Sequence, residues 1–124
     1  KEIQITNSNR PDVNPITARY CDHYWCRLRG YMFRSSIDED EGLVLVQKKP
    51  GRFDAAVHML AVFTDLAVIW LDSSRVVVDR CLARSWRPFY MPGKPAQMVF
   101  ECAPSRFEDF QIGDHLNFET PAVD

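Results

Sequence analysis

The sequence predicts an α+β fold in which antiparallel strands dominate. Apolar segments between residues 56 and 102 are separated by turn-forming residues, a spacing typical of strands that pair with their neighbours along the chain. One of them, Leu66–Leu71, is apolar on both faces, which indicates a strand with neighbours on both sides. Nearer the N-terminus, Gly30 follows a helical pattern and is expected in the left-handed conformation that ends helices. We therefore expect a mainly antiparallel sheet with one short N-terminal helix.

The N-terminal region is predicted to be a flexible arm followed by a single globular domain. Asparagines and prolines recur up to position 15, so we expect residues 1–15 to form the arm and residues 16–120 the domain. Residues 16–20 alternate between apolar and polar side chains and predict a short strand. Asp22 is a suitable N-cap for a helix that ends at Arg29.

The rest of the chain is predicted to consist of strands and loops. Four consecutive acidic residues, 38–41, suggest a cation site, but no turn glycine lies among them and a solvated loop is the better interpretation. Pro50 and Gly51 lie in a basic segment and predict a hairpin turn. Residues 103–110 could form a second short helix, because Pro104 suits a first helical turn. The predicted strands are residues 42–46, 56–60, 66–71, 75–82, 97–102 and 116–119.

Composition limits the classes of function. The 124 residues are 46% hydrophobic, enough for one compact domain with its own core. Lys and Arg total 15 against 17 Asp and Glu, which gives no basic footprint for nucleic acid, so no nucleic-acid partner is expected. No apolar run approaches the roughly 18 residues of a membrane-spanning helix. The N-terminus shows no secretory signal, so we expect a cytoplasmic protein; an exported form that has lost its signal segment is the alternative.

The four cysteines do not suggest a metal site. Cys21, Cys26, Cys81 and Cys102 are irregularly spaced in a chain large enough to fold without cross-links, so we expect free thiols in a reducing compartment. His23 lies between the first two cysteines, but no second pair of ligands follows, as a structural zinc site would require. We therefore expect neither a metal nor a cofactor.

Short motifs follow one another in a specific order along residues 18–119. They are Arg29-Gly30-Tyr31-Met32-Phe33-Arg34, Gly42-Leu43, His58-Met59, Leu66 to Asp72, Val76-Val77, Pro95-Ala96, Phe100-Glu101 and Ile112-Gly113-Asp114. This series resembles the family called domain of unknown function 192. The resemblance implies a small α+β domain, largely a β-barrel-like sheet with a short helix, without an established activity.

The chain departs from the pattern of that family in two places. Family members often have Trp-Met-Lys-Asn-Thr and Pro-Leu-Asp where this chain has His58-Met59-Leu60-Ala61-Val62 and Asp65-Leu66-Ala67. The resemblance therefore implies either a lost site or a site with another ligand. His58 is the one substitution that introduces a side chain able to act as an acid or a base. A lone histidine in a strand is, however, more often hydrogen-bonded within the structure.

Three arginines and this histidine are the candidate binding residues. They would line a cleft for an anionic small molecule, because guanidinium groups bind carboxylate or phosphate through paired hydrogen bonds. Glu101 joins them because it matches a family position. The structural alternative is an ion pair of Arg34 with Glu101 or Asp114. The complete candidate set is His58, Arg34, Arg29, Arg84 and Glu101.

We expect a non-enzymatic module that binds a small molecule or a protein. The motifs do not supply a nucleophile with its base and orienting group, and the aromatic, proline-rich loop of residues 86–92 suits a contact surface. The alternative is a small enzyme in which His58 and a carboxylate, Asp72 or Glu101, perform acid and base chemistry on an anionic substrate. A thiol-based or structural accessory role would need a cysteine exposed beside positive charge.

Overall fold

The computed structural model describes residues 1–23, 26, 30–32, 34–52, 55–57, 59, 62–87 and 89–120. In these residues no helix is long and apolar enough to cross a membrane. The chain forms strands and a short 3-10 helix, which precedes the last strand. The elements are β1 (Glu2–Asn7), β2 (Ile16–Cys21), β3 (Glu41–Gly51), β4 (Leu66–Leu71), β5 (Val77–Ala83), β6 (Ala96–Cys102), the 3-10 helix (Pro104–Asp109) and β7 (Leu116–Glu119).

The strands form one mixed sheet in the order β5-β4-β6-β3-β2-β1-β7. Neighbouring strands are antiparallel except β2 and β3, which run parallel with Arg19 opposite Leu43. The sheet curls into a half-barrel. An isolated antiparallel bridge between Val76 and His115 brings the starts of the two edge strands, β5 and β7, together. The predominance of strands predicted from the sequence is confirmed.

The N-terminal segment contains a strand, unlike the flexible arm predicted for residues 1–15. β1 pairs with β2 on one side and with β7 on the other. Ile3 and Ile5 point into the core, with exposed fractions of 7% and 1%. They alternate with polar residues, which is the period of a strand with one buried face. The asparagines and prolines that suggested an arm belong mostly to the connection between β1 and β2.

The helices differ from the prediction in extent and type. The structure does not bear out an N-terminal helix over residues 22–29: most of that segment lies outside the described residues, and within its described part only Cys26 has helical backbone. The second short helix exists as the 3-10 helix, with Pro104 in its first turn as predicted.

Two further predictions about strands differ from the structure. β3 continues through the basic segment to Gly51, where the sequence predicts a hairpin turn. The predicted strand of residues 56–60 lies partly outside the described residues, and Val57 forms an isolated bridge with Tyr90. Pro50 is tolerated in β3 because the ladder with β6 is interrupted after Val46 and resumes at Gly51.

Each face of the sheet packs against its own buried cluster. The first cluster contains the inner residues of β1 and β7 and a pair of rings, Phe100 and Phe110, which meet edge to face with centroids 5.3 Å apart. The second cluster contains Trp70, whose indole N–H donates to the carbonyl of Ala55 at 2.7 Å. Connecting segments, including Tyr31, cover this second face.

Arg106 fixes the 3-10 helix to the loops that precede β2 and β3. Its side chain is buried and donates hydrogen bonds to the carboxylate of Asp109 and to the carbonyls of Asn14 and Glu39. A buried guanidinium requires such partners because an unpaired buried charge is costly. Arg106 therefore has a structural role.

Asp114 ties the end of β1 to the turn that precedes β7. Its Oδ2 atom accepts hydrogen bonds from Asn7 Nδ2 at 2.9 Å, Arg10 Nε at 2.9 Å and the backbone N–H of Gln111 at 3.0 Å. Burial alone would raise the pKa of this carboxyl, but the three donors outweigh burial and lower the pKa. The carboxylate thus has a structural role.

Replacing Ile5 by alanine tests the assignment of β1. Ile5→Ala should lower the free energy of unfolding by about 2–5 kcal/mol, because it removes a fully buried side chain from the core. Gln4→Ala, on the opposite face of the same strand, should change it by less than about 0.5 kcal/mol. Urea-induced unfolding measures both values. Equally small effects would mean that the segment is an arm that adds little to the fold.

Asp114→Asn should lower the free energy of unfolding at neutral pH by about 1–3 kcal/mol, because charge-assisted hydrogen bonds are lost. A carboxyl whose pKa is lowered by folding stabilises the folded state above its unfolded pKa of about 3.9, and this contribution is lost as the pH falls through the folded-state value. The gap between wild type and variant should therefore shrink in acid. Thermal unfolding measured from neutral pH downward checks this, and a constant gap would contradict it.

Candidate functional site

Two polar groups are buried without a hydrogen-bond partner in the described part of the chain. They are the hydroxyl of Tyr31 and the Oε1 atom of Glu101. The exposed fractions of these two residues are 2% and 3%. Because buried polar groups are nearly always hydrogen-bonded, two such groups near each other are a candidate for ligand contact.

Glu101 projects from the middle of the sheet into the second buried cluster. It lies on β6, opposite Leu43 of β3 and Val68 of β4, which both belong to that cluster. Removal from water disfavours the ionised form, and burial raises the pKa of Glu101 to about 7. Near neutral pH this carboxyl is therefore present in both forms, and its protonated form can donate a hydrogen bond.

Gly30 lies next to the Glu101 carboxyl and has no side chain to cover it. Its φ of +48° is the left-handed conformation that the sequence predicts, and its N–H donates to the carbonyl of Cys26 at 3.1 Å. A Cβ atom at this position would lie 3.7 Å from Glu101 Oε1. Since Gly30 is itself partly exposed, the carboxyl lies directly beneath a piece of bare backbone.

Tyr31 follows this glycine and brings its hydroxyl toward the same region. The guanidinium of Arg34 lies over its ring, 5.5 Å from the centroid. Burial raises the pKa of the hydroxyl, the negative charges of Glu41 and Glu101 raise it further, and the positive charges of Arg19 and Arg34 oppose them. The hydroxyl therefore stays neutral and can both donate and accept a hydrogen bond.

Arg34 is held by Glu41, not by Glu101 or Asp114. Its terminal nitrogens donate to the two carboxylate oxygens of Glu41 at 2.9 and 3.0 Å, and one of them also donates to the carbonyl of Ser36 at 3.1 Å. The hydrogen bond with Glu41 raises the pKa of Arg34. Burial would raise the pKa of Glu41, but this bond and a backbone N–H lower it. Arg34 thus fixes the segment that contains Tyr31 to the start of β3.

Arg19 supplies a positive charge on the same face, and the sequence predictions missed it. In the sheet it lies opposite Leu43, which in turn lies opposite Glu101. Its side chain is exposed, and no described residue forms a hydrogen bond or ion pair with it. The alternation within β2 indicates which face Arg19 occupies, but only the pairing of β2 with β3 relates that face to Glu101.

Of the three remaining predicted residues, the structure describes Arg84. Arg84 lies after the end of β5 with its side chain 74% exposed, and its Nη1 atom is 3.8 Å from Asp65 Oδ2. His58 and Arg29 lie outside the described residues. Of the predicted set, the structure therefore relates Arg34 and Glu101 to Tyr31: Arg34 lies over its ring, and the charge of Glu101 acts on its hydroxyl.

The cysteines differ in part from the prediction of four free thiols. Cys21 and Cys26 form a disulfide with their Cα atoms 5.6 Å apart, whereas Cys81 and Cys102 are free. Burial raises the pKa of Cys81 to about 11 and that of Cys102 to about 12, so both thiols are protonated and unreactive. Among the described residues, no group of three or more His, Cys, Asp or Glu side chains could hold a metal ion.

Two solved structures share the fold at low sequence identity. A crystal structure from Sinorhizobium meliloti 1021, described as a candidate transcription regulator, has a TM-score of 0.84 at 15% identity and covers 95% of this chain and 94% of that chain. A protein of unknown function from Novosphingobium aromaticivorans has a TM-score of 0.77 at 16% identity, covering 94% of this chain and 83% of that chain. These similarities concern the fold alone.

Sequence comparison identifies closer relatives. A UPF0127 protein from Thermococcus gammatolerans is 40% identical over 117 residues, which cover 93% of this chain and 74% of that protein. Another from Thermococcus kodakarensis is 40% identical over 84 residues, 68% of this chain, and the match spans about half, 52%, of that relative's length. The model of the DUF192 family, described as "Uncharacterized ACR", matches residues 4–118. The chain therefore belongs to the DUF192 family, which includes these UPF0127 proteins.

Proposed function

We propose that this chain is a non-enzymatic module that binds a small carboxylate at Glu101 and Tyr31. The observation that supports the proposal is the buried, unpartnered carboxyl of Glu101 beneath the bare backbone of Gly30. A ligand that approaches past this glycine would give both buried groups the hydrogen bonds that no described residue gives them.

The charges of the region favour an anion over a cation. The protonated carboxyl of Glu101 would donate one hydrogen bond to a ligand carboxylate, and the hydroxyl of Tyr31 would donate a second. Arg19, exposed and in no ion pair with a described residue, would supply the counter-charge. An amine would meet the positive charge of Arg19 and would need Glu101 to ionise in an apolar setting, which burial disfavours.

Binding of a carboxylate at Glu101 should weaken as the pH rises. Because burial raises the pKa of Glu101 to about 7, the donor form is lost as the pH rises through that value, and the ionised form repels a carboxylate. A free ligand carboxyl has a pKa of about 4 and stays ionised above it. Binding should therefore be strongest at mildly acidic pH.

The enzymatic alternative receives no comparable support from the described contacts. It depends on His58, which lies outside the described residues. One of its two candidate carboxylates, Asp72, accepts hydrogen bonds from the backbone N–H groups of Ser74 and Val76 at 2.9 and 3.0 Å and so stabilises a turn. The other is Glu101, to which the proposal gives a binding role.

Glu101→Gln tests the role of the protonated carboxyl. Acetate, succinate and citrate, titrated separately, should shift the backbone amide signals of Gly30 and Tyr31 in NMR spectra of the wild-type protein. Wild-type affinity for the responding anion should fall about tenfold per pH unit above the pKa of Glu101. The glutamine variant retains a donor and cannot ionise, so it should bind with an affinity that varies little across the same range.

Chloride at matched ionic strength is the control for this titration, since it adds anionic charge without a carboxylate. Arg19→Gln should weaken binding at every pH by removing the counter-charge. Wild-type and Glu101→Gln proteins with the same pH profile, or no shift at Gly30 and Tyr31 with any of the three carboxylates, would overturn the proposal.

Gly30→Ala tests the approach to Glu101, and Gly113→Ala is its matched control. Both glycines have positive φ, so alanine should lower the free energy of unfolding by about 1–2 kcal/mol at either position. A Cβ at Gly30 meets Glu101 Oε1, whereas a Cβ at Gly113 has no atom within 4 Å. Only Gly30→Ala should therefore weaken carboxylate binding in the NMR titration. Equal binding by the two variants would contradict the proposed path.

A further inference from the structure

Exposed aromatic side chains occur around one loop on the second face. Among the large apolar side chains exposed in the described part of the chain are Phe63, Trp86 and Phe89, with exposed fractions of 49%, 51% and 55%. The rings of Phe63 and Trp86 pack together with centroids 5.5 Å apart at an angle of 56°. We define the aromatic surface as Phe63 and Trp86 with the flanking Arg84 and Arg87.

The loop that presents Trp86 is held by hydrogen bonds to the segments beneath it. The N–H of Trp86 donates to the carbonyl of Met59 at 2.9 Å, and the N–H of Ser85 donates to Asp65 Oδ1 at 2.9 Å. The hydroxyl of Ser85 donates to the carbonyl of Val62. The surface is therefore preformed, so a partner would not have to order it on binding.

Trp86 adopts a backbone conformation that a large side chain rarely takes. Its φ is +66°, in the left-handed region, where glycine would be unstrained. The indole nevertheless remains half exposed, so burial of the ring explains the residue only in part. Trp86 lies in a turn that the N–H of Arg87 closes by donating to the carbonyl of Arg84 at 3.2 Å, and this turn holds the ring at the surface.

The charges beside the rings are positive. Arg84 is 74% exposed, and its ion pair with Asp65 is long, at 3.8 Å. Arg87 is exposed and lies over the ring of Tyr90, 5.9 Å from its centroid, and no described carboxylate pairs with it. The chain as a whole has a formal net charge of −2, so this is a local excess of positive charge.

We infer that the aromatic surface binds an extended acidic segment of a partner protein. An apolar side chain of that segment packs on Phe63 and Trp86, and its carboxylates pair with Arg84 and Arg87. Tryptophan and arginine are the residue types that most often dominate binding energy at protein interfaces. Charge complementarity favours an acidic partner. Among the described carboxylates, Asp65 pairs with Arg84 at the long distance of 3.8 Å, and none pairs with Arg87.

The test uses the full chain and the synthetic peptide acetyl-Asp-Glu-Leu-Phe-Glu-Asp-amide. In NMR spectra, the peptide should shift the indole N–H signal of Trp86 and the amide signal of Phe63. Trp86→Ala should weaken binding about tenfold or more. The double substitution Arg84→Gln and Arg87→Gln should weaken it at low salt, with a smaller effect at high salt where charges are screened.

Ile112→Ala is the matched control, because Ile112 is 60% exposed and lies in the turn before β7, on a different loop. It should bind the peptide as the wild type does. A peptide with lysine in place of each acidic residue should not bind.

Several results would overturn the inference. Equal binding of the acidic and basic peptides would remove the role of charge, and unchanged binding by Trp86→Ala would remove the role of the rings. Self-association in analytical ultracentrifugation that Trp86→Ala abolishes would show that the occupant is a second copy of the chain. Binding to phosphatidylserine vesicles without binding to the acidic peptide would show that the surface contacts a membrane.

Discussion

The parallel pairing of β2 with β3 is the constraint on which the candidate site depends. Parallel neighbours cannot be joined by a tight turn, so the chain must leave the end of β2 and return to the start of β3 by a long connection. In its described part, this connection places Tyr31 in the buried cluster of the second face. It also places Gly30 beside Glu101. Joining the two strands by a hairpin would leave this part of the face without its cover.

Two buried carboxyl groups, Glu101 in the sheet and Asp114 in the turn before β7, show how hydrogen-bond partners decide the role of a side chain. Asp114 accepts three hydrogen bonds, which lower its pKa against the effect of burial. Glu101 is the more buried of the two and its Oε1 has no described donor, so burial raises its pKa. The first group stabilises the fold as an anion. The second costs stability when ionised, which makes it suited to exchanging a proton or a hydrogen bond with a ligand.

The sequence predicts the elements whose pattern is local and misses those that depend on distant partners. Leu66–Leu71 is predictable because six consecutive apolar residues identify a strand between two neighbours. β1 is harder, because the core that buries Ile3 and Ile5 is built from strands distant in sequence, and one of its neighbours, β7, comes from the far end of the chain. For the site, the family resemblance identifies Glu101, but its isolation from donors depends on three strands and a connection. Arg19 is unpredictable for the same reason, since its neighbours are set by the parallel register.

The two arginines near Tyr31 differ in how far the protein already uses their hydrogen-bond donors. Arg34 uses both terminal nitrogens on Glu41 and one of them again on a backbone carbonyl, while its own carbonyl accepts a hydrogen bond from the N–H of Phe63 at 2.9 Å. These bonds connect the segment after β2 to the start of β3 and to the segment that precedes β4. A ligand that recruited this guanidinium would have to break the pair with Glu41 and leave a partly buried carboxylate unpaired, which is costly. Among the described residues, the side chain of Arg19 forms no hydrogen bond or ion pair, although its charge also acts on Glu41. Arg34, which matches the family pattern, therefore holds the segment that contains Tyr31, and Arg19, which lies outside the motifs, is the arginine that we propose for the anion.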